Sequence, residues 1–236
     1  MTTIRDCIAP DRNPKVPSIK LPEGSIDTHV HIFESQYPLF EGRGYNPPDS
    51  TLDDLKHLHS QLGVSRVVYT QPSPYGVDNS AILKGMKVMN DETPGRARGV
   101  CAIKMDVSDD FLVDLDKQGI KGVRLNMDNI GGMPIGLDEI PTLEARIKDL
   151  GWHVEYLFPG KDIVELAPIF KKSSVPISIA HFAYQPATNG INSEGFKTLL
   201  DLVRDGNTWI KISGANRVSE TDLPPYDDVM PMARAL

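Results

Sequence analysis

What most constrains this chain is an alternation that starts near residue 25 and runs almost to its end. Short apolar runs rich in β-branched residues recur, separated by helix-like stretches. "SIDTHVHIF" (25–33), "SRVVYTQPS" (65–73), "ARGVCAIK" (97–104), "IKGVRLNM" (120–127), "WHVEYLF" (152–158), "PISIAHF" (176–182) and "TWIKISG" (208–214) read as seven strands. Their near-continuous apolar character is that of parallel strands covered on both faces. Between them lie helical patterns. "STLDDLKHLHSQLG" places Leu52, Leu55, Leu58 and Leu62 on one face and stops at Gly63. "SDDFLVDLDKQG", "DEIPTLEARIKDLG" and "SEGFKTLLDLVRDG" stop at Gly119, Gly151 and Gly206, residues suited to the left-handed position after a helix. "DNSAILKGMKVMN" and "KDIVELAPIFKK" supply two more helices.

Strand and helix in strict alternation predict a parallel α/β architecture. Seven strands in one series favour a (β/α)8 TIM barrel over an open doubly wound sheet, and no Gly-rich phosphate loop follows the first strand. The final stretch, "ANRVSETDLPPYDDVMPMARAL", is a polar, Pro-containing loop and the start of a helix, with no eighth strand. The expectation is therefore a flexible N-terminal arm over 1–20 and a barrel domain over 21–236, C-terminally incomplete and lacking its eighth strand.

Composition narrows the function classes. A net charge of −7 with no long Lys/Arg cluster argues against a nucleic-acid partner. No apolar run approaches the roughly 20 residues of a membrane span, and the N-terminus lacks the apolar core of a signal peptide. Cys7 and Cys101 form no framework; both are expected to be free thiols in a reducing cytoplasm.

Candidate chemistry gathers where the strands end, which in a barrel is the active-site face. In "IDTHVHIF" strand alternation puts Asp27, His29, His31 and Phe33 on one side. Paired imidazoles can bind a metal, relay a proton or polarise a substrate; two core histidines bonded to backbone are the plainer alternative. Further along come Gln71 and Ser73, Arg124 and Asn126, Glu155, His181, then Ser213 and Arg217. Three histidines and two arginines suggest an anionic substrate beside a proton-transfer or metal centre. His181 could instead be a core histidine, Arg124 a partner of Asp27 or Glu155, and Arg217 simply solvated. His57 and His59 read as a solvated helix face.

"DTHVHIF" after the first strand and the lone His181 after the sixth resemble the amidohydrolase superfamily. "YTQPSPYGVDNSAIL", "GVRLNM", "GWHVEYLF", "SIAHF" and "SGANRVSETDLPPYDD" resemble the branch containing 2-pyrone-4,6-dicarboxylate lactonase, sulfomuconolactonase and sugar lactonases. The resemblance implies hydrolysis of a small carboxylated lactone by water attack on the ester carbonyl. It implies that His29, His31 and His181 surround and polarise that carbonyl, and that Tyr45, Ser73, Arg124 and Arg217 hold the carboxylates. Arginine forks suit that task. The aspartate that the branch uses after the eighth strand has no match in this sequence, nor does a second strand-four arginine, where "NMDNIGG" stands. Glu155 stands where the pyrone lactonase is apolar, so with His29 and His31 it could form a zinc or manganese site; the cofactor expectation is no metal or one divalent ion. Alternatives on the same scaffold are a metal-dependent decarboxylase, a lactone isomerase, or a non-catalytic carboxylate binder.

Overall fold

The computed structural model describes residues 4–128 and 135–236, in two compact units. The first unit takes residues up to Arg124 and the second begins at Leu125. Part of the "NMDNIGG" stretch, from residue 129 on, lies outside the described residues.

All seven predicted strands form, each shorter than its apolar run. The first unit carries β1 (Ile26–Val30), β2 (Arg66–Thr70), β3 (Ala97–Cys101) and the start of β4 (Ile120–Asn126). Each pairs in parallel with the next, for example Val67 with Ala97 and Cys101 with Val123. Helices α1 (Leu52–Leu62), α2 (Ser80–Glu92) and α3 (Asp109–Lys117) connect them. The second unit carries β5 (His153–Leu157), β6 (Ile177–Ile179) and β7 (Thr208–Ile210), again parallel and in chain order. Its helices are α4 (Ile140–Ile147), α5 (Ile163–Phe170), α6 (Glu194–Arg204) and α7 (Met230–Ala235). This is the strand–helix order of a (β/α)8 TIM barrel; among the described residues no eighth strand follows β7. Among those residues too, no helix is long and apolar enough to cross a membrane.

Local signals explain the boundaries. Thr51 and Asp54 form a reciprocal capping box at the start of α1, and Ser108 and Ser193 cap α3 and α6. Gly63, Gly119, Gly151 and Gly206 all adopt positive φ, as the stop signals predicted. Strand burial is continuous in β4, β5 and β6, where helices cover one face and neighbouring strands the flanks. It alternates in β1, and β7 leaves Trp209 72% exposed.

Each unit has its own core. In the first, Val67, Tyr69 and Val100 are buried, as are Ile82, Met86 and Met89 of α2, and the Tyr69 hydroxyl meets Met89 Sδ at 3.3 Å. In the second, Tyr156 and Phe158 pack on Phe170, and Trp152, Phe196 and Leu199 are buried as well. The buried Glu144 of α4 accepts from Ser173 Oγ at 2.6 Å and from the Ser174 N–H at 2.7 Å, tying α4 to the turn after α5. Near the N-terminus, Arg5–Asp6 pairs with Tyr45–Asn46 in a two-residue parallel ladder, and Arg12 meets Asp54 at 3.3 Å.

Candidate functional site

In the first unit the two histidines of the HxH pair meet. Their Nε2 atoms are 3.3 Å apart and their rings pack edge to face, with centroids 4.9 Å apart. Simple alternation does not produce this contact. The register slips between Asp27 and Val30, so three steps along β1 match two along β2, and His31 lies beyond the end of the strand. His31 Nδ1 contacts the Thr70 carbonyl oxygen at 2.7 Å. A carbonyl only accepts, so Nδ1 carries the proton. In the neutral ring Nε2 of His31 is then the acceptor, and His29 Nε2 is the donor facing it.

Asp27 supports this arrangement from behind. One carboxylate oxygen accepts from the His29 backbone N–H at 3.3 Å and the other meets His59 Nε2 at 3.2 Å. His59 is 2% exposed, so it is no solvated helix residue. The leucine stripe of α1 is only half-buried, and the imidazole takes the innermost position because Asp27 gives it a partner. His57 is exposed, as expected.

Arg124 lies buried near the end of β4 and donates through Nη1 to the Gln71 carbonyl at 2.8 Å. Gln71 in turn donates through Nε2 to the carbonyls of Gly76 (3.0 Å) and Asp78 (2.8 Å), which pins the loop after β2. That loop holds Ser73, also buried, at the head of a single helical turn. Tyr45 reaches the same unit's aromatic cluster, its ring 6.5 Å from Phe33, which sits 6.1 Å from His31 and 5.7 Å from Tyr75.

The second unit holds His181, Glu155 and Arg217. His181 opens a turn in which four consecutive non-glycine residues, His181 to Tyr184, have φ between 50° and 55°. Left-handed backbone costs L-residues about 1–2 kcal/mol each, so the surroundings must hold it. The Phe182 N–H donates to the Lys211 carbonyl at 3.0 Å. The buried Gln185 amide donates to the Gly160 carbonyl at 2.6 Å. Gly160 has to be glycine, because a Cβ there would lie 2.1 Å from the Tyr184 oxygen. The result aims His181 Nδ1 at Ser213 Oγ, 2.9 Å away. Arg217 is exposed yet not merely solvated: its Cζ lies 6.0 Å from the Tyr184 ring centre, in cation–π range. Gly214 lets both approach, since a Cβ there would sit 3.1 Å from His181 Nδ1 and 3.2 Å from Arg217 Cδ.

Glu155 is fully buried and ion-paired with Lys211. Among the described residues no group of three or more His, Cys, Asp or Glu side chains is gathered as metal ligands are. The Glu155 carboxylate is held by an ammonium, and the two imidazole nitrogens of the first unit are 3.3 Å apart, a separation that two neighbouring ligands of one tetrahedral ion also show. Lys211 is the functional candidate that motif reading missed. Its signal was present: a lone lysine in "TWIKISG" and a lone glutamate in "WHVEYLF" each need a partner inside an apolar wall.

The amidohydrolase family model matches residues 26–236. The chain belongs to the amidohydrolase family. Two curated relatives of this amidohydrolase are the 2-pyrone-4,6-dicarboxylate hydrolase of Comamonas testosteroni and a 4-sulfomuconolactone hydrolase of Hydrogenophaga intermedia. The first is 34% identical over 94% of this chain and 75% of its own length. The second is 33% identical over 98% of this chain and 75% of its own. Among solved structures, an apo structure from Agrobacterium tumefaciens matches with a TM-score of 0.82 at 26% identity, covering 93% of this chain and 78% of that one.

Proposed function

We propose that this amidohydrolase opens a small lactone bearing carboxylate groups, by addition of water to the ester carbonyl and cleavage of the ring C–O bond. The observation that carries the reading is the His29–His31 contact with its proton direction set by the Thr70 carbonyl. Addition of water builds negative charge on the carbonyl oxygen. The imidazoles of His29, His31 and His181 are the groups proposed to polarise it, and one preorganised donor at a developing oxyanion is worth several kcal/mol. Arg124, Arg217, Ser73 and Tyr45 are proposed to hold the carboxylates. A buried guanidinium such as that of Arg124 suits a small anion, because Arg matches carboxylate geometry with paired donors.

The names of the two relatives support an anionic lactone as the substrate class, 2-pyrone-4,6-dicarboxylate-like or muconolactone-like. The test is ring opening of a lactone panel in which each carboxylated member is matched with its uncharged analogue. The carboxylated members should be hydrolysed with the higher kcat/KM. Equal rates for both members of each pair would remove the anion-binding half of the reading.

A further inference from the structure

Glu155 and Lys211 carry charge into an apolar wall, and the chemistry proposed above uses neither. Tyr156 packs on Phe170 of α5 with ring centres 4.6 Å apart. Alternation along β5 therefore turns Glu155 away from the helices. Glu155 is in register with Ser178 on β6, and Ser178 with Trp209 on β7. Lys211, two residues past Trp209, lies on that same face, and its ammonium spans β6 to reach the carboxylate. Glu155 is 0% exposed and the Lys211 side chain 13%. The meeting of the two charges offsets part of the cost of such burial.

The backbone of Lys211 grips both sides of the end of β6. Its N–H donates to the Ile179 carbonyl at 2.9 Å, and its carbonyl accepts from the Phe182 N–H at 3.0 Å. Phe182 is the second residue of the left-handed turn that starts at His181. Two residues further on, Ser213 meets the His181 ring itself. We propose that the Glu155–Lys211 ion pair is the positioning device for His181. The pair fixes residue 211, residue 211 holds the strained turn, and the same segment delivers Ser213 to the imidazole. Lys211 is thus a positioning residue that acts through His181. Its link to catalysis rests on the reading of His181 as a carbonyl-polarising group.

The test uses the full chain with Lys211→Met and with the double substitution Lys211→Met/Glu155→Met. The double variant replaces the pair with apolar groups of similar length, so that neither member is left buried without the other. The first readout is the imidazole 15N resonance of His181, assigned by its loss in His181→Asn. The second is kcat and KM on a carboxylated lactone. Both variants should shift the His181 resonance while those of His29 and His31 stay in place. Both should lower kcat by about 100-fold with little change in KM, the effect of a displacement near 1 Å. A folded double variant with the wild-type His181 resonance and wild-type kcat would overturn the proposal. A shifted resonance in a chain that opens no lactone, wild type included, would retain the positioning role and refute the lactonase reading instead.

Discussion

The His31 Nδ1 atom is 2.7 Å from the carbonyl oxygen of Thr70, and this contact fixes which nitrogen of the ring carries the proton. Because the acceptor is a backbone atom of β2, no side-chain change can remove it without moving the strand. The imidazole that faces His29 therefore has a defined acceptor edge, and His29 a defined donor edge. The backbone of β2 thus sets the hydrogen-bonding polarity of the pair.

Arg124→Met tests the anion pocket. The substitution keeps the apolar stem and removes the charge. One charged hydrogen bond is worth about 1.5–3 kcal/mol, so kcat/KM on carboxylated lactones should fall about 10- to 100-fold. The loss should appear chiefly in KM, and uncharged lactones should be unaffected. Steady-state kinetics on matched lactone pairs separates the two effects.

Gly160→Ala tests the strained turn after β6. An added Cβ would meet the Tyr184 oxygen at 2.1 Å, and that oxygen belongs to backbone that cannot step aside alone. Destabilisation of about 3 kcal/mol is expected from such overpacking. Urea denaturation should show a lower midpoint at an unchanged slope.

The two thiols should behave differently. Cys7 is exposed, whereas Cys101 is buried in β3 and burial pushes its thiol up to about 12. At pH 8 a disulfide reagent should titrate one thiol in the native chain and two after denaturation. Two native thiols would show that β3 opens readily.

Acid should loosen the start of α1. The Thr51 backbone N–H, and then its hydroxyl, hold the Asp54 carboxyl below its ordinary range. A depressed folded pKa adds stability that is complete above the unfolded value of about 3.9 and is lost as pH falls through the folded value. Asp54→Asn should therefore lower stability at pH 7 and make little difference near pH 2. Urea midpoints at the two pH values decide it.

Much of this was legible in the sequence, for identifiable reasons. Strand–helix alternation is a chain-local property, so all seven strands could be read from their apolar runs and four helix ends from Gly63, Gly119, Gly151 and Gly206. The HxH pair could be read as a pair. Its geometry could not, because the slip between Asp27 and Val30 depends on how β1 packs on β2. His59 looked solvated because its partner, Asp27, is 32 residues away. The ion pair of Glu155 could not be read either, because Lys211 lies 56 residues further on. Long-range pairing of charges is what single-sequence reading misses.

The most direct test of the central claim is proton release on a panel of carboxylated lactones, 2-pyrone-4,6-dicarboxylate and muconolactones included, by the wild-type chain and by His29→Asn. The account predicts release well above the uncatalysed rate for at least one member of the panel, and a fall of about 100-fold or more in kcat for the variant. No release by the wild type, or equal release by the two proteins, would contradict it.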